Sequence, residues 1–388
     1  MRYEEMRAHL AIKLIPFWKN LKDGEHGGFY GWMDSNLTVN KEAVKGCILN
    51  NRILWFFSNA YLALKDRGLK EYADHAFAFL KDHCYDGERG GVFWSLAYDG
   101  KPEDTTKHTY NQAFAVYALS SYYRAFGEPE ALRLATELVH TIETKCFDEG
   151  GYKEALDIDF VPVDNDKLSE NGVMADRTMN TLLHVLEAYT EYYLVTKDIS
   201  VGEKLRWMLD LLKDKIYNPA LHRQEVFFDN DMNSLIDLHS YGHDIETAWL
   251  SERTLDILGD AEYSAKLIPM IRDLEDQIYQ TAYNHHSLAN ECERGKVDTK
   301  RVWWVQAEAV VGFFNAYQRT GEQRYLSAAE DIWGFIQEHV VDGREGGEWF
   351  WCTDENGEPM LEKPIVEPWK CPYHNGRMCM EIMRRLLN

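Results

Sequence analysis

Long apolar runs are missing from this 388-residue chain. Nothing approaches the roughly 18 consecutive apolar residues of a membrane-spanning helix, so no membrane span is expected. The start, MRYEEMRAHL, lacks the apolar core of a secretory signal, and a cytoplasmic location is expected. Cysteines are few: there are seven, an odd number never spaced C-x-x-C, which argues against a disulfide framework and a zinc knuckle. Basic charge is in deficit, with 42 Lys and Arg against 64 Asp and Glu and a net charge of −22. Such a chain repels phosphate backbones, so nucleic acid is not a partner; the acidity serves solubility. Neither a G-x-x-x-x-G-K-[ST] loop nor a dinucleotide fingerprint is present, and no cofactor is called for. The fourteen histidines show no ligand spacing. His239 and His243 are four apart but read H-S-Y-G-H, with Gly242 between, and the adjacent His285 and His286 point in different directions. No metal is expected.

Proline is scarce, and no Ser/Gly-rich or low-complexity tract marks a linker. Length alone favours two or three domains. What the chain does have is a repeat that runs across all of it. A short glycine-aromatic turn recurs six times: GGFYGW (Gly27 to Trp32), GGVFW (Gly90 to Trp94), GGYKE (Gly150 to Glu154), QEVFF (Gln224 to Phe228), HSLAN (His286 to Asn290) and GGEWFW (Gly346 to Trp351). The third to fifth copies are degenerate. A spacing of about sixty to seventy residues holds two helices plus connections, as in stacked helix pairs. Six pairs that cannot each bury an apolar face do so by closing into a ring. The expected fold is all-α, a single (α/α)6 barrel over residues 1–388, with short β-hairpin-like loops at one end.

Six stretches are apolar on nearly all faces, as helices buried between layers are. These are Cys47 to Leu64, Tyr110 to Phe126, Thr178 to Leu194, Ile245 to Leu258, Val302 to Tyr317 and Cys371 to Leu387, the expected inner ring. Lys70 to His83, Glu128 to Thr144 and Gln323 to Glu338 mix charge with an apolar stripe and suit the outer ring. Near the start of each inner helix stands a polar residue that core packing does not select: Arg52, Asn111, Asn180, His243, Glu308 and His374. In helices running alike, these converge on one pocket whose mouth gains positive potential from the helix N-termini. Asn180 and His184 share a face, as do Trp304 and Glu308, and His374 and Arg377. His243, Glu246 and Trp249 follow at intervals of three; a carboxylate beside a histidine orients the imidazole and tunes its proton affinity. Trp303 and Trp304 cannot face the same way, so one is expected in the pocket. Trp369, after Pro368, is expected on a loop at its mouth.

The strings NNRILWFFSNAY (Asn50 to Tyr61), TMNTLLHVLEAY (Thr178 to Tyr189), SYGHDIETAWL (Ser240 to Leu250), VWWVQAEAVVGFFNAY (Val302 to Tyr317) and WKCPYHNGRMCMEI (Trp369 to Ile382) together resemble the cellobiose 2-epimerase branch of the N-acyl-D-glucosamine 2-epimerase family. The likeness runs from about Ile15 to the C-terminus. It implies an (α/α)6 barrel that epimerises C2 of the reducing-end glucose in β-1,4-linked disaccharides such as cellobiose and lactose, and in short oligosaccharides. By that likeness His243 and His374 are paired acid/base catalysts, His184 supports ring chemistry near the ring oxygen, and Arg52 holds the oxygens of the enediolate. Glu246 and Glu308 are expected to position His243 and the sugar hydroxyls. Trp304 and Trp369 are expected against the sugar rings, with Tyr110, Asn180 and Trp249 completing the wall.

Four other readings compete. An aldose–ketose isomerase uses the same enediolate and returns the proton to C1, and an N-acylglucosamine 2-epimerase needs room for an acetamido group. A glycoside hydrolase or lyase needs two carboxylates across the bond, whereas the inward set here is rich in histidine. A helical toroid that only binds proteins does not call for His243, His374 and Arg52 at equivalent inner positions.

Overall fold

A computed structural model describes residues 1–165, 167 and 171–387. Twelve principal helices among them alternate between an outer and an inner ring. Five inner helices, Cys47–Leu64, Thr109–Phe126, Met179–Thr196, Tyr241–Leu258 and Trp303–Thr320, have 18 residues each, and the sixth is His374–Leu387. The equal length has a local cause. Each of the five stops on a left-handed residue (Lys65, Gly127, Lys197, Gly259, Gly321) whose N–H reaches back to a carbonyl of the last turn. Consecutive inner helices pack side by side and the sixth packs on the first, closing the ring. The first outer helix, residues 3–20, packs on the last inner one, so the two ends of the chain seal the barrel.

The other outer helices span 70–84, 129–146, 199–216, Ala261–Thr281 and 323–340. Four of these finish in a π turn, at Leu80–Cys84, Ile142–Cys146, Leu212–Ile216 and Ile336–Val340. Its wider turn sets residues four apart on one face, and the first and last residue of each turn are buried. A tight hairpin follows each outer helix, pairing Lys22 with Phe29, Tyr85 with Val92, Phe147 with Tyr152, Tyr217 with Gln224, Tyr283 with Leu288, and Val341 with Trp349. These are the six turns of the sequence repeat. The fourth and fifth copies, which lack the glycine pair, fold the same way by placing His222, His285 and His286 in the left-handed region that glycine occupies elsewhere.

A buried base just ahead of the inner helix ties most hairpins down. Lys45 pairs with Asp23 at 2.6 Å, Lys107 with Asp86 at 2.8 Å, Arg177 with Asp148 at 2.6 Å and Lys370 with Glu348 at 2.5 Å; Arg301 donates to Asn284 Oδ1 at 2.6 Å. Buried charges persist only when paired in this way. The small sheets thus collect at the N-terminal end of the inner helices, where the polar residues also lie.

Two inner helices begin elsewhere than their sequence pattern indicates. The fourth starts at Tyr241 rather than Ile245, because Gly242 does not break it. A Cβ on Gly242 falls 2.5 Å from the Trp304 ring, so this glycine makes room for a tryptophan. The sixth starts at His374, after Cys371, Pro372 and Tyr373 pass as bends.

Candidate active site

The inner helices bring their N-terminal turns around a cavity of about 410 Å³, within the range of small-ligand clefts. Arg52, Tyr110, Asn180, His184, His243, Glu246, Trp304 and His374 line it from the six inner helices, and Trp369 from the loop before the last. Three expected members are elsewhere. Trp249 is buried behind the wall, where its Nε1–H donates to Glu308 Oε2 at 2.9 Å; an indole this deep in the ring serves a carboxylate rather than a sugar. Asn111 also faces away, donating to the Phe93 carbonyl at 2.7 Å and accepting from Asn51. Glu308 stands just behind His374 rather than in the lining.

The three histidines are held differently. His374 Nδ1 lies 2.7 Å from Glu308 Oε1, and His184 Nδ1 lies 3.0 Å from Glu187 Oε2. Ionised carboxylates only accept, so each Nδ1 carries hydrogen and each Nε2 is left as a base. His243 Nδ1 meets the Ser240 hydroxyl at 2.7 Å, a partner that either donates or accepts. The expected His243–Glu246 pair is absent, because Glu246, a buried acid, turns to the cation Arg377 instead. Glu308, expected to serve His243, holds His374. Burial lowers the proton affinity of all three rings. His243 falls from 6.5 to about 3, through burial and then the neighbouring His184. For His374, burial, Arg377 and Arg52 lower it well below its ordinary value, and for His184 burial outweighs the pull of Glu187. All three are neutral at pH 7.

Behind them sits one buried guanidinium. Arg377 Nη1 donates to Glu187 Oε1 at 2.5 Å, and Nη2 reaches Glu308 Oε1 at 2.7 Å and also Glu246 Oε1. Tyr373 donates its hydroxyl to Glu187 Oε2, and the guanidinium lies 4.2 Å over the Tyr373 ring and 4.8 Å over Trp249. Burial favours the acid form of Glu187, but Arg377 and His184 overcome it and hold the carboxyl well below the usual range. Burial leaves Glu308 above the ordinary value, yet three donors on its two oxygens keep it ionised. Glu246 is pushed up to about 8, by burial and then by the charge of Glu308, and its buried Oε2 has no protein partner among the described residues. Glu246, Glu308 and His374 bring ligand atoms within 4.8 Å of one another, but the cation among them is Arg377.

Arg52 faces the cavity from the opposite setting. It is buried over the Phe114 ring at 4.1 Å and donates to Tyr110 Oη at 2.8 Å, while its Nε is unpartnered. Among the described residues no carboxylate pairs with it, so its charge is available to a ligand. Trp304 lies between the two outer histidines, its ring centroid 4.7 Å from His243 and 5.4 Å from His374. Trp369 packs 5.9 Å from Tyr110 and 5.6 Å from Trp94. Among the described residues Asn180 Oδ1 has no protein partner.

Glu187 and Ser240 escape sequence reading although each stands three residues from a histidine, the same spacing that drew attention to Glu246. Lys167, Asn171 and Asn290 reach the cavity from loops and Glu291 from a three-residue strand, where no periodicity points to them.

The model of a family described as N-acylglucosamine 2-epimerase (GlcNAc 2-epimerase) matches residues 28–375. A cellobiose 2-epimerase of Eubacterium cellulosolvens is 51% identical over 400 residues, covering 99% of this chain and 98% of the relative. A solved sugar epimerase from a ruminal bacterium superposes with a TM-score of 0.98 at 48% identity, with 99% of both chains covered. A cellobiose 2-epimerase from Bacillus thermoamylovorans B4167 gives 0.95 at 44% identity, again over 99% of both chains. With a family model across most of its length and relatives this similar over nearly all of it, the chain belongs to the N-acylglucosamine 2-epimerase family.

Proposed function

We propose that residues 1–388 act as one domain, a cellobiose 2-epimerase that interconverts cellobiose and glucosyl-mannose, and lactose and epilactose. The observation that carries this reading is the pairing of two neutral histidines, His243 and His374, on either flank of Trp304, with the unpaired charge of Arg52 facing the same cavity.

C2 of a sugar is acidic only beside a free carbonyl, so the pyranose opens first. His184, with Nδ1 held by Glu187, takes the O1 proton on Nε2 and, as the imidazolium, hands a proton to O5 as the C1–O5 bond breaks. One histidine then removes the C2 proton, and the C–H electrons pass onto the C1 carbonyl oxygen as an enediolate. The imidazolium formed is tolerated in so dry a site because the enediolate forms with it. Arg52 meets that oxyanion with a guanidinium that no carboxylate neutralises, the arrangement in which a preorganised donor counts most. The other histidine returns a proton to the opposite face of C2. It needs a proton first, and Glu246, held as the acid up to about pH 8 and facing the same cavity, is a source. Each acid/base residue contributes about 10²–10⁴-fold. Trp304 and Trp369 present flat faces to the sugar rings.

All seven cysteines are thiols among the described residues, which suits the reducing cytoplasm; no described helix is long and apolar enough to cross a membrane. Chromatography after incubation with cellobiose tests the reading. Glucosyl-mannose without free glucose is expected; free glucose indicates a hydrolase, and a ketose as the main product indicates an isomerase.

A further inference from the structure

Arg377 is not among the residues that line the cavity, yet its guanidinium bonds the carboxylate of both histidine–carboxylate pairs. Its Nη1 holds Glu187, whose other oxygen holds His184; its Nη2 holds Glu308 Oε1, the same oxygen that holds His374. Glu187 and Arg377 are 190 residues apart in sequence, and Glu308 and His374 are 66 apart, so the last inner helix gathers the third and fifth through one side chain. The planar fork of arginine is required for this, because a lysine ammonium cannot present two parallel arms to separate carboxylates. The aromatic rings of Tyr373 and Trp249 beside the guanidinium fix its plane.

We infer that Arg377 is a positioning residue for the epimerisation proposed above, a reading on which this inference rests: one guanidinium aligns the carboxylates behind His184 and His374 and links the protonation of the two rings. The ring-opening histidine and one C2 base are thus tied to the same guanidinium through carboxylates, whereas His243 hydrogen-bonds a serine hydroxyl and feels His184 and Glu308 only through space.

The charged and titratable groups around His374 define the expected signs. Tyr373 and Arg377 face it from its own segment, Arg52 from the first inner helix, His184 and Glu187 from the third, His243 and Glu246 from the fourth, and Glu308 from the fifth. Arg377 lowers its proton affinity and Glu187 raises it. Removing Arg377's charge therefore moves His374 titration to higher pH, and removing that of Glu187 moves it lower.

The test compares the full-length chain with Arg377→Lys, Arg377→Met and Glu187→Gln, using thermal melting as the fold control. With cellobiose, Arg377→Lys is expected to lose about 10–100-fold in kcat, the scale of a lost charged hydrogen bond, with KM changed less than about threefold because no sugar contact is lost. The acid limb of kcat/KM is expected to move up in Arg377→Met and down in Glu187→Gln. Ring NMR of the histidines follows the same displacements without turnover, so a wild type inert on cellobiose sinks the proposed function alone. Displacements of one sign in both variants, no displacement, or a loss confined to KM overturns the role of Arg377. If Arg377→Met shows no cooperative melt, Arg377→Lys and Glu187→Gln decide by the same criteria.

Discussion

The two flanks of the pocket solve one problem with different materials. On the His374 side, an imidazole leans on Glu308, which Arg377, Trp249 and the ring itself hold with three donors. On the His243 side, the side-chain hydrogen-bond partner among the described residues is the Ser240 hydroxyl. A carboxylate fixes the tautomer of His374 and stabilises its imidazolium, whereas a hydroxyl that donates or accepts leaves His243 free to exchange tautomers. A reversible epimerase needs both faces of C2 served, but nothing requires identical bases. The difference teaches that alignment of His374 is enforced by buried charge, and that of His243 by packing against Trp304 and by a neutral hydrogen bond.

The largest effect should not distinguish the flanks. Replacing either His243 or His374 by Asn is expected to cut epimerisation by about 10²–10⁴-fold or more, read as initial rates on cellobiose. The supports should distinguish them. Glu308→Gln is expected to lose about 10–100-fold in kcat and Ser240→Ala only about 2–10-fold, the scales of charged and neutral hydrogen bonds. Equal losses would erase the asymmetry.

The last effect concerns stability rather than rate. His243 binds its proton less readily in the folded chain, at about 3, than at the ordinary 6.5. The unfolded chain therefore takes up a proton that the folded one refuses between those values. The stabilisation is complete above pH 6.5 and is lost as pH falls toward 3, by up to about 1.4 kcal/mol per pH unit. Urea midpoints across this window should fall more steeply for the wild type than for His243→Asn.

The ring of helix pairs was legible in the sequence because it rests on local chemistry that repeats: glycine-aromatic turns, then long apolar stretches. The fourth inner helix starts four residues before the apolar stretch read from Ile245, and Gly242 in its first turn makes room for the Trp304 ring. In the site, residue types and equivalent positions brought His243, His374, His184 and Arg52 forward. The partners of these residues were less legible. Ser240 and Glu187 lie within one helical turn and were available to a spacing argument, but the pairs Glu308–His374 and Arg377–Glu187 join different helices across the ring, and spacing along one helix cannot reveal them. Trp249 illustrates the same limit: its interval from Glu246 is right for the pocket, but its indole turns to Glu308.

The central claim, that two bases serve opposite faces of C2, is tested most directly by solvent deuterium. In heavy water the wild type should place deuterium at C2 of the product. His243→Asn and His374→Asn should each fail to interconvert the epimers while slowly exchanging the C2 hydrogen of one sugar, glucosyl in one variant and mannosyl in the other. Long incubations or linear precursors compensate where ring opening is also slowed. Full epimerase activity in either variant, or exchange into the same sugar by both, would contradict the account.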